Sequence, residues 1–221
     1  MVAFGSFFLS RLPYLLAAVV AYFCGCFNGA IFASKVFFHD DVRTHGSGNA
    51  GLTNFYRTYG AKYALGVILF DMGKTVIACL LGGFLLKNAM QDWTLGVLIG
   101  GLGCELGHMF PVFFGFKGGK GILSGGAIAL MMDWRIAVVV WGLFLVLVAL
   151  TRMVSVGSLA AGVAFAIMTA VVYRSLPVTI LGIVIGVLVV WGHRSNIGRI
   201  LRGEENTLHL HHKNSDSEGS K

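Results

Sequence analysis

A short glycine- and lysine-rich stretch in the middle of the chain has the composition of a phosphate-binding turn. Between Gly115 and Gly121, two lysines and four glycines fall within seven residues, flanked by long apolar runs. Glycines let successive backbone N–H groups point into one concavity, and two ammonium groups make that concavity attractive to an anion. The spacing does not fit the Walker pattern, so nucleotide hydrolysis is disfavoured. The residues expected to hold a phosphate are Lys117, Gly118, Gly119, Lys120 and Gly121. The alternative is a turn whose lysines only reflect membrane orientation.

A second polar cluster lies in the loop that precedes Arg57. The loop contains Ser47, Asn49, Thr53 and Asn54 among several glycines. This composition is also that of an ordinary loop with turn chemistry. However, Thr53 and Asn54 could cap a helix that carries Arg57 one turn later, and a helix N-terminus beside a guanidinium binds anions. We therefore expect these side chains to bind a phosphorylated ligand.

Histidines mark the two remaining polar positions. His108 lies seven residues before Gly115, and a histidine in such an apolar run is alternatively a buried structural residue. His193 and Asn196 follow the last apolar run and are three residues apart, so on a helix they share a face.

The composition identifies the chain as an integral membrane protein. Of its 221 residues, 56% are hydrophobic and only 12% are charged, which leaves too little polar surface for a soluble domain. Continuous rather than alternating apolar runs exclude a transmembrane β-barrel. The net charge of +7 is spread over loops, which favours membrane orientation and small anionic ligands over nucleic acid. The four cysteines lie in apolar runs, so we expect neither a disulfide nor a metal site.

Seven apolar segments predict an all-α, polytopic transmembrane helical bundle of about seven spans, some of them short. The segments are Leu12 to Phe38, Ala61 to Leu86, Trp93 to Phe114, Ile122 to Met132, Ile136 to Leu150, Val154 to Tyr173 and Pro177 to Trp191. The fourth and fifth are shorter than a hydrocarbon core of roughly 30 Å requires. Pairs of glycines four residues apart, such as Gly96 and Gly100 or Gly103 and Gly107, are expected to serve helix packing.

The basic residues predict which end of each span faces the cytoplasm. With seven spans, thirteen lysines and arginines fall at one face, and only Arg11, Lys87, Arg135 and Arg174 at the other. The positive-inside rule then places the N-terminus outside and all the polar clusters on the cytoplasmic face. We expect residues 1–205 to form one transmembrane domain and residues 206–221 a polar, disordered cytoplasmic tail.

Three polar motifs in this order resemble the bacterial acyl-phosphate:glycerol-3-phosphate acyltransferase family. The first is Gly46-Ser47-Gly48-Asn49-x-Gly51-x-Thr53-Asn54 with the later Arg57. The second is Gly107-His108-x-Phe110-Pro111 running to Phe116-Lys117-Gly118-Gly119-Lys120-Gly121. The third is Gly192-His193-x-x-Asn196-Ile197-x-Arg199 with Gly203-x-Glu205. Supporting matches are Phe70-Asp71 with Lys74 and the stretch around Ser155.

The resemblance implies an enzyme that transfers a fatty acyl group from acyl phosphate to the sn-1 hydroxyl of glycerol 3-phosphate. It implies lysophosphatidic acid and phosphate as products, no metal or other cofactor, the bacterial inner membrane as location, and a link to an enzyme that makes acyl phosphate. On that basis His193, Asn196 and Ser47 are candidate catalytic residues. The candidate substrate-binding residues are Asn49, Thr53, Asn54, Arg57, His108, Lys117, Gly118, Gly119, Lys120, Gly121 and Ser155.

The chain departs from the family pattern at a few positions. It has Gly25-Cys26-Phe27-Asn28 where the family usually has Gly-Ser-Ile-Pro, Thr75 where glycine is common, and Ser124 where threonine is frequent. These differences affect substrate preference rather than the reaction.

Two other functions also fit a membrane bundle. A transporter of phosphate or of a phosphorylated metabolite would place cations near broken helices at the bilayer midplane. A structural bundle that only recruits partners would need none of the three motifs.

Overall fold

A computed structural model describes the backbone of residues 2–208 and the side chains of residues 11–208. Over this range the chain is all-α, as the sequence predicts. The helices are α1 (Val2–Cys26), α2 (Gly29–Phe38), α3 (Leu52–Tyr59), α4 (Ala61–Met90), α5 (Trp93–Met109), α6 (Ile122–Met132), α7 (Trp134–Thr151), α8 (Val154–Tyr173), α9 (Leu176–Gly192) and α10 (Arg194–Leu201), with 3₁₀ turns at Val42–Thr44 and Val112–Phe114. Most of the predicted tail, residues 209–221, lies outside the described residues.

Five helical segments of the described chain are long and apolar enough to cross a membrane. They are Arg11–Phe38, Ala61–Met90, Trp93–Phe114, Trp134–Thr151 and Val154–Tyr173. The consecutive helices α9 and α10, bent by 55°, make a sixth span if the pair counts as one. Helix α6 has only 11 residues and rises about 16 Å, roughly half of a hydrocarbon core. The predicted count of about seven spans is therefore not confirmed.

Helix α5 packs closely between α1 and α4 because glycines line both of its contact faces. A Cβ at Gly100 would collide with the backbone of Ala78 in α4, and a Cβ at Gly107 would collide with the backbone of Tyr22 in α1. The expectation that these glycines serve packing is confirmed.

The first span is broken between α1 and α2, and the break is stabilised by polar groups. Asn28 caps α2 by accepting a hydrogen bond from the amide of Ile31 at 3.0 Å. The carbonyls of Gly25 and Phe27, at the end of α1, accept hydrogen bonds from the Lys74 ammonium of α4 at 3.1 and 2.7 Å. Both of these carbonyls therefore have a hydrogen-bond donor, which a break in a helix requires inside a membrane.

Helix α6 holds a central position in the bundle. It contacts α4 and α5 on one side and α7, α8 and α9 on the other. Ile128 in its middle is fully buried in the main apolar core. The N-terminus of α6, where the glycine- and lysine-rich turn ends, therefore faces the polar ends of the surrounding helices.

Candidate active site

Asn54 organises the first polar loop. Its amide nitrogen lies 2.9, 3.0 and 3.1 Å from the carbonyl oxygens of Val42, His45 and Asn49, which share its two hydrogens. Its amide oxygen accepts from the backbone amide of Ser47 at 3.0 Å. The side chain is buried, so its hydrogen-bonding groups are used within the loop. Asn54 therefore fixes the positions of Ser47 and Asn49.

Helix α3 begins earlier than expected. The helix starts at Leu52, and Gly51 is its N-cap, with no side-chain hydrogen bond to the cap. The prediction that Thr53 and Asn54 cap the helix is therefore wrong, because both residues lie inside the helix and the Asn54 side chain bonds to the preceding loop. Thr53 lies in the first turn instead, and Arg57 follows one turn later on the exposed side.

Two backbone amides of the glycine turn donate hydrogen bonds to carbonyls within the protein. The amide of Gly118 donates to the carbonyl of Met109, and the amide of Gly119 donates to the carbonyl of His108, both at 3.1 Å. The carbonyl of Gly118 also accepts a long hydrogen bond from the Asn49 side chain at 3.4 Å. The expectation that these two amides hold a phosphate is corrected, because they already have acceptors inside the protein.

Lys117 lies outside the cavity described below. Its side chain is exposed, and its carbonyl accepts a hydrogen bond from Arg43 at 3.3 Å. Arg43 also donates to the carbonyl of Phe114 at 2.7 Å, so its side chain connects the first polar loop to the glycine turn.

The N-terminus of α6 supplies the free amides that Gly118 and Gly119 do not. Gly121, with a left-handed φ of +84°, turns the chain into the helix, and its carbonyl accepts from the amide of Gly125 at 2.7 Å. Within the described part of the chain, the backbone amides of Ile122 and Leu123 have no acceptor. Free N–H groups at a helix N-terminus attract anions. The free amides therefore directly follow the glycine- and lysine-rich turn, rather than lying within it.

The third cluster joins the second through one side chain. Asn196 in α10 accepts a hydrogen bond from the Lys120 ammonium through its amide oxygen. Its amide nitrogen donates to Glu205 Oε1 at 2.6 Å. Ser155 Oγ donates to the same carboxylate oxygen at 2.9 Å, and Arg199 Nε donates to Glu205 Oε2 at 2.8 Å. One carboxylate thereby holds the N-terminal end of α8 and helix α10 in place.

His193 occupies the break between α9 and α10. Its Nδ1 lies 2.8 Å from the carbonyl oxygen of Val189. Because a carbonyl only accepts, Nδ1 carries the proton, and Nε2 of the neutral ring is an acceptor. The buried ring thus presents a lone pair to its surroundings.

These elements enclose a cavity of ≈ 270 Å³. Eleven of the fourteen predicted site residues line it, namely Ser47, Asn49, Thr53, Asn54, Arg57, His108, Lys120, Gly121, Ser155, His193 and Asn196. Lys117, Gly118 and Gly119 do not. Apolar side chains of α4, α6 and α7 form another part of the wall, among them Ile68, Leu123, Trp141 and Phe144. The cavity therefore offers both cationic groups and an apolar surface.

Three cationic groups meet at this cavity. The pKa of Lys120 is lowered to about 8, mainly by burial; the charges of Arg199 and Arg57 also lower it, and the charge of Glu205 raises it. All four residues line the cavity. An anion bound there would relieve the repulsion between the cations, so the site favours a phosphate.

Three charged residues that line the cavity, Arg199, Glu205 and Asp71, were not among the predicted site residues. Arg199 was recognised only as part of the third motif. Glu205 was recognised as part of the third motif, but nothing in its spacing indicated that it binds Ser155 and Asn196. Asp71 was noted only as a supporting match, yet it is buried and lines the inner part of the cavity. An acidic residue within an apolar segment is the sequence signal that could have identified Asp71.

Comparisons with known proteins all identify the same protein family. Residues 15–203 match the family model described as glycerol-3-phosphate acyltransferase. A protein of that name from Thermoanaerobacter sp. is 36% identical over 194 residues, which cover 88% of this chain and 95% of the relative. Another from Finegoldia magna is 35% identical over 202 residues, covering 90% and 98%.

Two crystal structures are also similar to this chain. Both are described as PlsY (YgiH), an integral membrane glycerol 3-phosphate acyltransferase. The glycerol 3-phosphate form has a TM-score of 0.79 and 32% identity, covering 89% of this chain and 96% of the other. The form described as holding "lysphosphatidic acid" has a TM-score of 0.76 and 31% identity, covering 89% and 95%.

Proposed function

The chain belongs to the glycerol-3-phosphate acyltransferase family, and from that premise we propose that its acyl donor is acyl phosphate and its product lysophosphatidic acid. The acyl group goes to the sn-1 hydroxyl of glycerol 3-phosphate, and inorganic phosphate leaves. The observation that carries the proposal is the meeting of Arg57, Lys120 and Arg199 at one cavity that also has an apolar wall. Both proposed substrates carry a phosphate, and one carries an acyl chain, so both kinds of surface are needed.

The two phosphates are assigned to different parts of the cavity. The Lys120 ammonium and the free amides at the start of α6 bind the phosphate of the acyl donor, whose chain follows the apolar wall. Arg57, which lies with Ser47 on the side of the first polar loop, binds the phosphate of glycerol 3-phosphate. A guanidinium suits this task because it donates two parallel hydrogen bonds to phosphate oxygens.

The acyl transfer needs no cofactor because acyl phosphate is a mixed anhydride. The sn-1 oxygen attacks the carbonyl carbon and forms the new ester bond. The bond from that carbon to the bridging phosphate oxygen breaks, and its electron pair leaves with the phosphate. The alcohol's proton passes to the departing phosphate, so positioning of the two substrates supplies most of the acceleration. His193 Nε2, as an acceptor, orients the attacking hydroxyl.

The membrane setting follows from the same assignment. We place the protein in the bacterial inner membrane with the cavity at the cytoplasmic face and the N-terminus outside, since the basic residues concentrate on one side. A membrane site that takes up acyl phosphate requires an enzyme that produces this labile compound nearby. That enzyme is the partner we propose.

The decisive experiment is a reconstituted assay. The purified full-length protein in lipid vesicles receives acyl phosphate and glycerol 3-phosphate, and lysophosphatidic acid and phosphate are measured. We expect equal amounts of both products. In a parallel assay acyl-CoA replaces acyl phosphate and is expected to give no product. Formation of lysophosphatidic acid from acyl-CoA but not from acyl phosphate would overturn the assignment of the donor.

A further inference from the structure

A buried polar network lies beneath the glycine turn, at the inner part of the cavity. The Lys74 ammonium is 2.8 Å from Asp71 Oδ1 and 3.1 Å from His108 Nδ1. The three side chains are almost completely buried, with at most 8% of any one exposed. Asp71 Oδ2 has no hydrogen-bond partner among the described residues. Burying charged groups inside a membrane protein is costly, and such groups usually serve a function.

Asn28 completes the network, and its orientation is fixed. Its amide oxygen accepts from the amide of Ile31 at 3.0 Å, and its nitrogen donates to the carbonyl of Ala50 at 3.0 Å. The second hydrogen of that nitrogen points to His108 Nδ1 at 3.5 Å. The amide cannot be flipped without losing both short bonds, so Asn28 presents a donor to the ring.

The partners of His108 determine where its proton lies. Nδ1 lies 3.5 Å from the Asn28 amide nitrogen, which has a hydrogen to donate to it. It also lies 3.1 Å from the Lys74 ammonium, whose three hydrogens are shared with the carbonyls of Gly25 and Phe27 and with Asp71. Asp71 Oδ1 lies 3.6 Å from Nδ1, which is too far for a hydrogen bond. Nδ1 is therefore an unprotonated acceptor. A neutral ring then carries its proton on Nε2, and a second proton on Nδ1 would place two cations 3.1 Å apart.

The Nε2 edge of the ring is the one available to a ligand. In the described part of the chain every hydrogen bond of the ring runs through Nδ1. Gly119 lies beside the opposite edge, and a Cβ there would come within 2.8 Å of Cε1 and closer still to Nε2, so the edge stays uncovered because residue 119 is a glycine. His108 lines the cavity. Because Nδ1 is covered by the network, Nε2–H is the group of this ring that can donate into the cavity.

We propose that His108 is a catalytic residue whose neutral ring donates a hydrogen bond from Nε2–H to the carbonyl oxygen of the acyl donor. Negative charge develops on that oxygen as the alcohol attacks, and a donor already in place stabilises it. The Gly118 and Gly119 amides are engaged elsewhere, and the free amides at the start of α6 are assigned to the donor phosphate, so the carbonyl oxygen requires a separate donor. Lys74 and Asn28 are positioning residues that keep the proton on Nε2. This inference rests on the proposed function.

Kinetics of two substitutions test the role of His108. His108→Leu removes the donor, and we expect kcat to fall about 10²–10³-fold, with the KM for glycerol 3-phosphate nearly unchanged. His108→Gln keeps a side-chain N–H and is expected to recover part of kcat. Thermal unfolding of each variant confirms that it is folded. A raised KM for glycerol 3-phosphate at normal kcat, or equal losses of kcat in both variants, overturns the proposal.

The tautomer is measured independently of activity. ¹⁵N NMR of histidine-labelled full-length protein, with the His108 signal identified by its absence in His108→Gln, reports the protonation of each ring nitrogen. We expect protonated Nε2 and bare Nδ1 throughout the neutral pH range, and a mixture of tautomers in Lys74→Gln. A protonated Nδ1 in the unsubstituted protein overturns the inference. Absence of acyl transfer by the unsubstituted protein would instead overturn the proposed function.

Discussion

The Lys120 ammonium donates a hydrogen bond to the amide oxygen of Asn196, which lies 76 positions later in the chain. The nitrogen of the same amide donates to Glu205. Because Glu205 holds the Asn196 side chain, Asn196 in turn keeps the Lys120 ammonium at the cavity. Both its amide oxygen and its amide nitrogen are engaged, so we expect Asn196 to position Lys120.

Binding of the acyl donor is expected to weaken above pH 8. The pKa of Lys120 is lowered to about 8, so the side chain is charged below that pH and loses its proton as the pH rises through it. A phosphate prefers the charged form, so the KM for acyl phosphate should stay constant below pH 8 and then rise by up to about tenfold per pH unit. Initial rates at saturating glycerol 3-phosphate measure this, with spontaneous hydrolysis of acyl phosphate subtracted.

Lys120→Arg is the matched control for this pH dependence. A guanidinium remains ionised at every pH used, so the variant should show a flat pH profile even if its KM is higher. Identical pH profiles for both proteins would show that another group is responsible.

Arg57→Ala is expected to raise the KM for glycerol 3-phosphate by about 10- to 100-fold, the value of a charge-assisted hydrogen bond to phosphate. The KM for acyl phosphate should change little. Lys62→Ala is the control, because Lys62 is an exposed cation close in sequence that does not line the cavity. An effect of Arg57→Ala on acyl phosphate alone would reverse the assignment of the two phosphates.

His193→Ala is expected to lower kcat by less than about 100-fold and to leave the shape of the pH profile unchanged, because the donor phosphate takes the proton. A general base would contribute roughly 10²–10⁴-fold, and its loss would remove one limb of the profile. Rates over a range of pH distinguish the two cases. His45→Ala, at an exposed histidine outside the cavity, is the control.

Glu105→Leu is expected to raise the thermal unfolding midpoint in detergent. Glu105 in α5 is fully buried, and among the described residues neither carboxyl oxygen has a hydrogen-bond partner. Leucine has a similar volume and removes a desolvation cost of about 1–3 kcal/mol. Leu98→Ala, which leaves a void at another fully buried position of α5, should lower the midpoint. A lower midpoint for Glu105→Leu would mean that the carboxyl has a stabilising partner.

The long elements of this fold could be predicted from the sequence because apolar runs and loop charges are strong signals in membrane proteins. The segments around Ala61–Met90 and Val154–Tyr173 were predicted to within a few residues. The break after Cys26 was not, because the residues on both sides of it are apolar and the carbonyls are satisfied by Lys74 from another helix. A contact between helices leaves no local pattern in the sequence.

The residues of the site could be predicted from the sequence, but the hydrogen bonds between them could not. Three motifs indicated which residues converge, and most of them line one cavity. Which amides of the turn are free depended on two backbone hydrogen bonds, from Gly118 and Gly119 to the preceding helix end. Such bonds form between backbone groups, which every residue type has, so side-chain identities do not reveal them.

The lysine that satisfies the end of α1 also constrains biogenesis. The carbonyls of Gly25 and Phe27 receive their hydrogen bonds from Lys74, which is synthesised almost fifty residues later. Lipid offers no donor to replace it. We therefore expect the first span and α4 to enter the bilayer together rather than one after the other.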